Sequence, residues 1–172
     1  MIVPTHEYVD LGLTSGAKWA TMNVGASSPT DYGNYYKYGL GAEQFDKTQA
    51  NYTGTENPLA ASADTAVQVW GGQWHMPTET QFEELFNECT WTWTTSGGTN
   101  GYKVVKGNNS IFLPVTGYWS NDSKYDAESK GYYWCSTPRG SNNAHNLTFS
   151  NESKSQGISL RSYGFTIRPV MN

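Results

Sequence analysis

The sequence has few charged residues and no long apolar run, and each shortage excludes a class of protein. Charged residues make up 15% of the 172, and 15 acidic against 11 basic residues give a formal charge of −4. A general nucleic-acid-binding protein needs a basic surface that neutralises phosphates, so we expect no nucleic-acid partner. No apolar run approaches the ~20 residues of a membrane-spanning helix, so we expect no membrane insertion.

Cysteine is scarce as well. Cys89 and Cys135 allow at most one disulfide, and both stand among aromatic residues (FNECTW and YYWCST). Two buried free thiols are the first interpretation, because free cysteine is among the most buried residue types. A disulfide is the second. A reactive thiol is the third, because among His, Lys and Arg only Arg139 lies within four residues of either cysteine.

The three histidines are also too dispersed to indicate chemistry. His6, His75 and His145 have no carboxylate or thiol at metal-ligand spacing, so the sequence predicts no metal site and no cofactor. A structural calcium held by loop carbonyls and Asp or Asn stays compatible with the sequence. We expect His75 to be structural. The start, MIVPTHEY, lacks the charged and apolar regions of a signal peptide.

Aromatic and turn-forming residues are what the chain has in excess. It holds 7 Trp, 12 Tyr and 18 Gly, a composition typical of a loop-rich α+β or all-β domain. The length predicts one domain over residues 1–172. Helix signals come early and strand signals late, which favours α+β with short mixed or antiparallel strands, two main helices and long loops.

The clearest local signal predicts a helix over residues 79–89. Thr78 and Gln81 have the spacing of a capping box. Apolar residues then recur at the i, i+3, i+4, i+7 positions of one helix face: Phe82, Leu85, Phe86 and Cys89. Weaker signals predict helices that begin at 28–31 (SPTD) and over 60–70, and a surface loop over 39–58. Strands are predicted at 7–11, 18–24, 90–95, 102–105, 110–114 (extended by 116–119), 132–136, 144–150 and 164–170, with a polar insertion at 120–130.

Residues 131–170 alternate between two kinds of position. Core-type residues recur at strand-like intervals: Trp134, Leu147, Phe149, Phe165, Ile167 and Val170. Small polar residues fill the positions between them. We interpret this as an ordered polar surface on a rigid frame, in which Ser and Asn supply adaptable hydrogen bonds to a ligand. The alternative is that these polar residues only solubilise exposed strands and loops.

Three blocks carry a resemblance to a known family. They are EYVDLGLTSGAKWATMNVGASSPTDYGNYY (7–36), WGGQWHMPTETQFEELFNECTW (70–91), and YYWCST with GFTIRPV near the end. Together they resemble the paralogous domain of Fibrobacter and Bacteroides proteins, in the formylglycine-generating-enzyme branch of the C-type-lectin-like fold. The resemblance implies that EYVDL pairs with GFTIRPV, that two helices pack on one side, and that an irregular half carries the ligand surface.

The same fold hosts the variable proteins of diversity-generating retroelements in phages and gut bacteria. Residues 131–168 look like their diversified region, with buried positions kept and surface positions changed at template adenines. Glu152, Lys154 and Gln156 do not fit that rule. The candidate ligand-binding residues are Tyr133, Cys135, Arg139, Ser141, Asn142, Asn143, His145, Asn146, Thr148, Ser150, Asn151, Ser159, Ser162 and Tyr163.

Enzymatic activity of this family would require a pair of cysteines about five residues apart that bind copper. Cys135 matches one position, but Gly140 stands at the other, so we expect a non-enzymatic binding protein. Its partner would be a protein or glycan on a cell surface; the protein would be monomeric and surface-exposed, secreted or virion-associated. The alternatives are a copper oxidase that uses Cys135 and a structural domain of a surface appendage. Two short segments that resemble lectin motifs, ENP at 56–58 and WSND at 119–122, are interpreted as chance matches.

Overall fold

The computed structural model describes residues 6–172; residues 1–5, the first part of the segment without a signal-peptide pattern, lie outside the described part. The chain folds as a mixed α+β protein, and all its strand–strand pairings are antiparallel apart from an isolated bridge. The elements are β1 (Tyr8–Asp10), β2 (Lys18–Ala20), α1 (Thr65–Trp70), α2 (Glu79–Glu88), β3 (Thr90–Ser96), β4 (Thr99–Lys106), β5 (Asn109–Pro114), β6 (Tyr118–Ser120), β7 (Ser123–Tyr125), β8 (Gly131–Arg139), β9 (Asn143–Phe149), β10 (Lys154–Leu160) and β11 (Val170–Met171). Among residues 6–172, no helix is long and apolar enough to cross a bilayer.

Helix α2 forms as its sequence predicts. The Thr78 hydroxyl accepts from the Gln81 backbone N–H at 3.2 Å, and the Gln81 side chain accepts from the Thr78 N–H at 3.0 Å. These reciprocal bonds satisfy two backbone donors that a helix start leaves free. Phe82 and Leu85 are fully buried on the inner face of α2. The helix packs against β8, β9 and β10.

The pairing expected between EYVDL and GFTIRPV is wrong, because β2 lies between them. Val9 pairs with Trp19, and Trp19 pairs in turn with Val170 on its other side. The strand order is therefore β1-β2-β11. The turn at 12–16 makes β1 and β2 near neighbours in the chain, and closing such a short loop costs less entropy than closing one of about 150 residues.

Two early predictions also need correction. The segment 28–31 forms a turn, because the Asp31 carboxylate accepts from the Ser27 N–H at 3.1 Å and the chain then reverses at Gly33, which has φ of +77°. The helix predicted over 60–70 is confined to α1, which begins after Asp64. The Asp64 carboxylate accepts from the N–H groups of Val67 and Met76 and so fixes the start of α1.

In the second half, β3, β4 and β5 form one sheet, as expected from the Trp–Thr alternation and the turns. The expected extension of β5 through 116–119 is wrong. Here β6 turns away and pairs with β7 in a separate hairpin, which occupies part of the predicted polar insertion. The Trp119 backbone also forms a bridge with Gly164.

The C-terminal sheet has the order β10-β9-β8, and β10 was not predicted. Only Val170 of the predicted strand 164–170 lies in a strand, β11, while Phe165 and Thr166 make isolated bridges. The frame residues of this region are all buried: Trp134, Ser136, Ala144, Leu147, Phe149, Gly164, Phe165, Arg168 and Pro169. The positions that the sequence predicts as frame are therefore buried, as expected.

Arg168 connects three parts of the chain from inside the core. Its guanidinium donates to Asn23 Oδ1 at 2.7 Å and to the carbonyls of Ala20 and Phe112. Burial lowers the pKa of Arg168 to about 10. A charge in the core is tolerated only when its donors are satisfied, so these acceptors fix the C-terminal segment against β2 and β5.

Candidate functional site

The pairing of β8, β9 and β10 places five side chains on one face of the C-terminal sheet, at the end next to residues 140–142. Asn143 pairs with both Arg139 and Leu160, and His145 pairs with Ile158. Directly opposite residues of antiparallel strands lie on the same side of a sheet. We call this set the C-terminal patch: Arg139, Asn143, His145, Ile158 and Leu160. Ile158 and Leu160 are 50% and 48% exposed, which makes the patch partly apolar as well as polar.

The loop beside the patch, residues 140–142, carries exposed Ser141 and Asn142. Its backbone is held from below by the buried side chain of Arg161. Nη2 of Arg161 donates to the Gly140 carbonyl at 2.8 Å, and Nε donates to the Asn143 carbonyl at 3.0 Å. The backbone N–H of Arg161 donates to the Asn142 carbonyl at 3.1 Å.

The same guanidinium extends to the long loop over 39–58. Nη1 of Arg161 donates to the carbonyls of Tyr52 and Gly54 at 2.8 and 2.9 Å. The guanidinium carbon also lies 4.8 Å from the centre of the Tyr38 ring, in cation–π geometry. A single arginine thus positions two loops, and all its hydrogen-bond acceptors are main-chain carbonyls.

Helix α2 closes the inner boundary of the patch. Oε2 of Glu79 lies 3.7 Å from Nδ1 of His145. The Gln156 side chain donates to the Glu79 carbonyl at 3.0 Å and so ties the first turn of α2 to β10. His145 therefore lies between a carboxylate at the helix start and the apolar side chain of Ile158.

The prediction that Tyr133, Cys135 and Asn146 contact a ligand is wrong, because all three side chains are buried. Tyr133 and Cys135 have no exposed surface, and Asn146 is 1% exposed. The Tyr133 hydroxyl donates to the Pro114 carbonyl at 2.6 Å, and Asn146 donates to Ser159 at 2.8 Å. Tyr133 and Cys135 belong to the apolar cluster beneath the sheet. Their polar atoms therefore serve the interior rather than a ligand.

The predicted ligand-binding residues outside the patch and its loop do not lie on one surface with them. Thr148 and Ser159 lie on the opposite side of the sheet from the patch, by the alternation of the strands. Ser150 and Asn151 lie at the far end of β9, roughly 23 Å from Asn143 for seven residues at ~3.3 Å each. Ser162 follows β10 in a turn, and the Tyr163 ring packs against Tyr118 with 5.2 Å between centroids.

Ile158 and Leu160 are the site residues that the sequence reasoning missed. The prediction left β10 out because the run KSQGISL has little β-branched or aromatic content. It doubted residues 152–156 because Glu152, Lys154 and Gln156 do not fit the rule of substitution at adenines. The available signal was the alternation of Gln156, Ile158 and Leu160, read together with the strand immediately before it. In the described residues no strand pairs with the outer edge of β10.

The cysteines offer no nucleophile at the patch. Both are free thiols, as the first interpretation expects, but only Cys135 is buried and Cys89 is partly exposed. Burial raises the pKa of Cys135 well above its ordinary value, and the nearby Glu79 carboxylate adds to the effect. The thiolate is the reactive form, so Cys135 is held in its unreactive state. Across residues 6–172, no group of three or more His, Cys, Asp or Glu side chains is arranged to hold a metal ion.

The patch has side chains of the types that make non-covalent contacts. It combines two exposed aliphatic side chains, a guanidinium, an amide and an imidazole on a fixed backbone. His75, expected to be structural, makes a backbone bridge with Val170, and its Nδ1 lies 2.9 Å from the Met76 carbonyl.

No family model, curated protein or solved structure matches this chain at a significant level.

Proposed function

We propose that this protein is a non-enzymatic, receptor- or adhesin-like binding protein whose C-terminal patch and adjoining loop contact a protein or glycan on a cell surface. The finer proposal is a C-type-lectin-like fold of the formylglycine-generating-enzyme type that serves as a variable protein of a diversity-generating retroelement. The resemblance of the three sequence blocks supports this fold and this role.

The observation that carries the proposal is the way the loop is anchored. Arg161 holds residues 140–143 through main-chain carbonyls, and the side chains of Arg139, Ser141 and Asn142 take no part in these bonds. Recognition surfaces need side chains that can vary on a backbone that does not move. The burial of Tyr133, Cys135 and Asn146 narrows the surface to the patch and its loop.

The exposed aliphatic pair adds a second reason. Ile158 and Leu160 stand on an edge strand with charged and amide groups around them. The patch therefore places apolar side chains directly beside polar ones, a combination common at protein–protein contacts. Two exposed aliphatic residues on the same side of one strand favour a contact surface over the alternative, in which the polar residues only solubilise exposed strands and loops.

Comparison of natural copies of the gene tests the proposal of diversification. We expect codons for Arg139, Ser141, Asn142, Asn143 and His145 to differ between isolates at adenine positions, with a near-copy of this region beside a reverse transcriptase. The codons for the buried frame should be constant. Identical patch codons across many isolates would refute the diversified surface.

A protein-level test separates patch from frame. The triple variant Arg139→Ala, Asn143→Ala, His145→Ala should abolish binding to cells that the wild-type protein labels. It should cost less stability than a fully buried position, because Arg139 is exposed and Asn143 and His145 are only partly buried. Trp134→Ala should cost ~3–5 kcal/mol, because this side chain is fully buried. Equal destabilisation by the two variants would contradict the division.

The copper oxidase is tested directly as the competing function. Copper-loaded protein is incubated with a cysteine-containing peptide, and the peptide mass is measured. We expect no formylglycine, because the Cys135 sulfur is buried and protonated. Formation of formylglycine that is lost in Cys135→Ala would overturn the proposal of a binding protein.

A further inference from the structure

A recess lies outside the C-terminal patch, between the loop that follows Asn34 and the β6–β7 hairpin. Its volume is about 440 Å³, and Tyr35, Phe45, Lys47, Trp119 and Asp122 are among the residues that line it. Pockets of roughly 300–1,000 Å³ are typical of small-molecule sites. We call this recess the aromatic groove. The proposed function makes no use of it.

The wall of the aromatic groove consists of two aromatic rings that are only partly buried. The Phe45 and Trp119 rings are inclined by 24°, with 6.4 Å between their centroids. Gly164 fixes both. Its backbone exchanges hydrogen bonds with Trp119 at 2.8 and 3.0 Å, and a Cβ at this position would lie 2.7 Å from the Phe45 ring. The C-terminal segment therefore fixes the Trp119 backbone and packs against the Phe45 ring.

Polar groups form the border of the aromatic groove. Lys47 Nζ lies 2.6 Å from one carboxylate oxygen of Asp122 and 2.7 Å from the other. Both side chains are largely exposed, at 48% and 74%. Asn121 stands beside them with φ of +51°, a conformation that asparagine adopts more readily than most residues. The border thus presents an ammonium, a carboxylate and an amide at the edge of an aromatic surface.

Oδ1 of the Asp46 carboxylate already has hydrogen-bond partners. It accepts from the backbone N–H and the hydroxyl of Thr48, both at 2.8 Å, and these bonds lower the pKa of Asp46. Lys47 and Asp122 form an ion pair, so their opposite charges cancel. A phosphate or other anion would meet one paired lysine and two carboxylates, so the aromatic groove is not built for anions.

We propose that the aromatic groove binds a neutral saccharide without a metal ion. The C–H face of a pyranose ring is apolar and can stack on the negative face of the Trp119 indole. Its hydroxyl groups, which both donate and accept, match the ammonium, amide and carboxylate groups at the border. A purely apolar ligand would desolvate those groups without giving them new hydrogen bonds.

The test is saturation-transfer NMR of the full chain with EDTA present, using glucose, galactose, mannose, N-acetylglucosamine and their β1,4-linked disaccharides. We expect transfer to at least one sugar, with a dissociation constant on the order of 1 mM, which is about −4 kcal/mol. Trp119→Ala should weaken binding at least tenfold. Asp122→Asn, which alters an exposed side chain and leaves the fold intact, should weaken it several-fold.

Two control variants give the result its meaning. Tyr125→Ala removes an exposed aromatic ring that does not line the aromatic groove, and His145→Ala changes the C-terminal patch. Neither should alter sugar binding. The proposal is overturned if no sugar of the panel binds, if binding appears only after calcium is added, or if it persists in both Trp119→Ala and Asp122→Asn.

Discussion

At the scale of single residues, Arg161 is the side chain on which the arrangement of the patch depends most. Substitution of Arg161 by Ala removes the donor for four buried or half-buried carbonyls. We expect a loss of about 3 kcal/mol in the free energy of unfolding, because unsatisfied buried acceptors cost ~1–3 kcal/mol each and the loops relax in part. Urea denaturation measures this loss.

Arg139→Ala is the matched control, because Arg139 is an exposed arginine in the same region. Its cost should stay under ~0.5 kcal/mol. Arg161→Lys should recover little stability, since an ammonium cannot reproduce the planar set of donors that reaches both loops. Full stability of Arg161→Lys would show that charge alone, rather than the fork of donors, holds the loops.

Thiol labelling provides a second prediction at this scale. Burial raises the pKa of both cysteines, but Cys89 is partly exposed and Cys135 is not. At pH 8 we expect slow alkylation of Cys89 and labelling of Cys135 only at the rate of unfolding. Mass spectrometry of the digested protein distinguishes the two sites. Equal labelling rates in the absence of denaturant would disprove the burial of Cys135.

At the scale of elements, the capping box of α2 gives a prediction with a control in the same helix. Thr78→Ala removes the hydroxyl that accepts from the Gln81 N–H. It should cost about 1 kcal/mol, the usual price of losing an N-cap. Thr80→Ala changes an exposed residue inside α2 and should be neutral or slightly stabilising, since alanine is the better helix former. Thermal unfolding of the two variants makes the comparison, and equal shifts would contradict the role of the cap.

The elements also show how far sequence reasoning extends. It identified α2 because two independent signals, a cap and an apolar stripe, coincide there. It missed β10 because an edge strand needs few β-forming residues when β9 supplies its hydrogen bonds. It placed EYVDL beside GFTIRPV because local patterns do not reveal that Trp19 occupies the position between them.

The same limit applies to the candidate site. The sequence separated the frame from the polar positions, yet it could not tell which polar residues turn inward. Asn146 and Ser159 bond to each other, so two polar residues that looked available are satisfied within the sheet. Arg161, which was not among the candidates, holds the loop, because its acceptors come from segments about 20 and 110 residues away.

At the scale of the whole molecule, buried tyrosines predict instability in alkali. Burial raises the pKa of eight tyrosines above the ordinary value near 10: Tyr32, Tyr35, Tyr36, Tyr38, Tyr102, Tyr118, Tyr132 and Tyr133. Above pH 10 the unfolded chain loses protons that the folded protein keeps. The free energy of unfolding should therefore fall as the pH rises from 10 through the raised pKa values.

A smaller set of groups acts in the opposite direction. Burial lowers the pKa of four bases, which release protons first in the folded state: Lys37, Lys124, Arg161 and Arg168. The tyrosines outnumber them, so the net effect remains a loss of stability. Urea midpoints at pH 8, 9.5 and 11 check this, with absorbance at 295 nm to follow tyrosinate. A constant midpoint over this range would contradict the prediction.

The order β1-β2-β11 also places the first and last described strands near each other. Because β1 and β11 are both antiparallel to β2, they run parallel to each other, two strand spacings apart. The start of β1 and the end of β11 are therefore roughly 12 Å apart, from ~4.8 Å between strands and ~3.3 Å per residue. A linker of a few residues could join them, and the exposed turn at Gly97 and Gly98 offers a place to open the chain. The fold is thus suited to circular permutation and to insertion into a surface loop of a host protein.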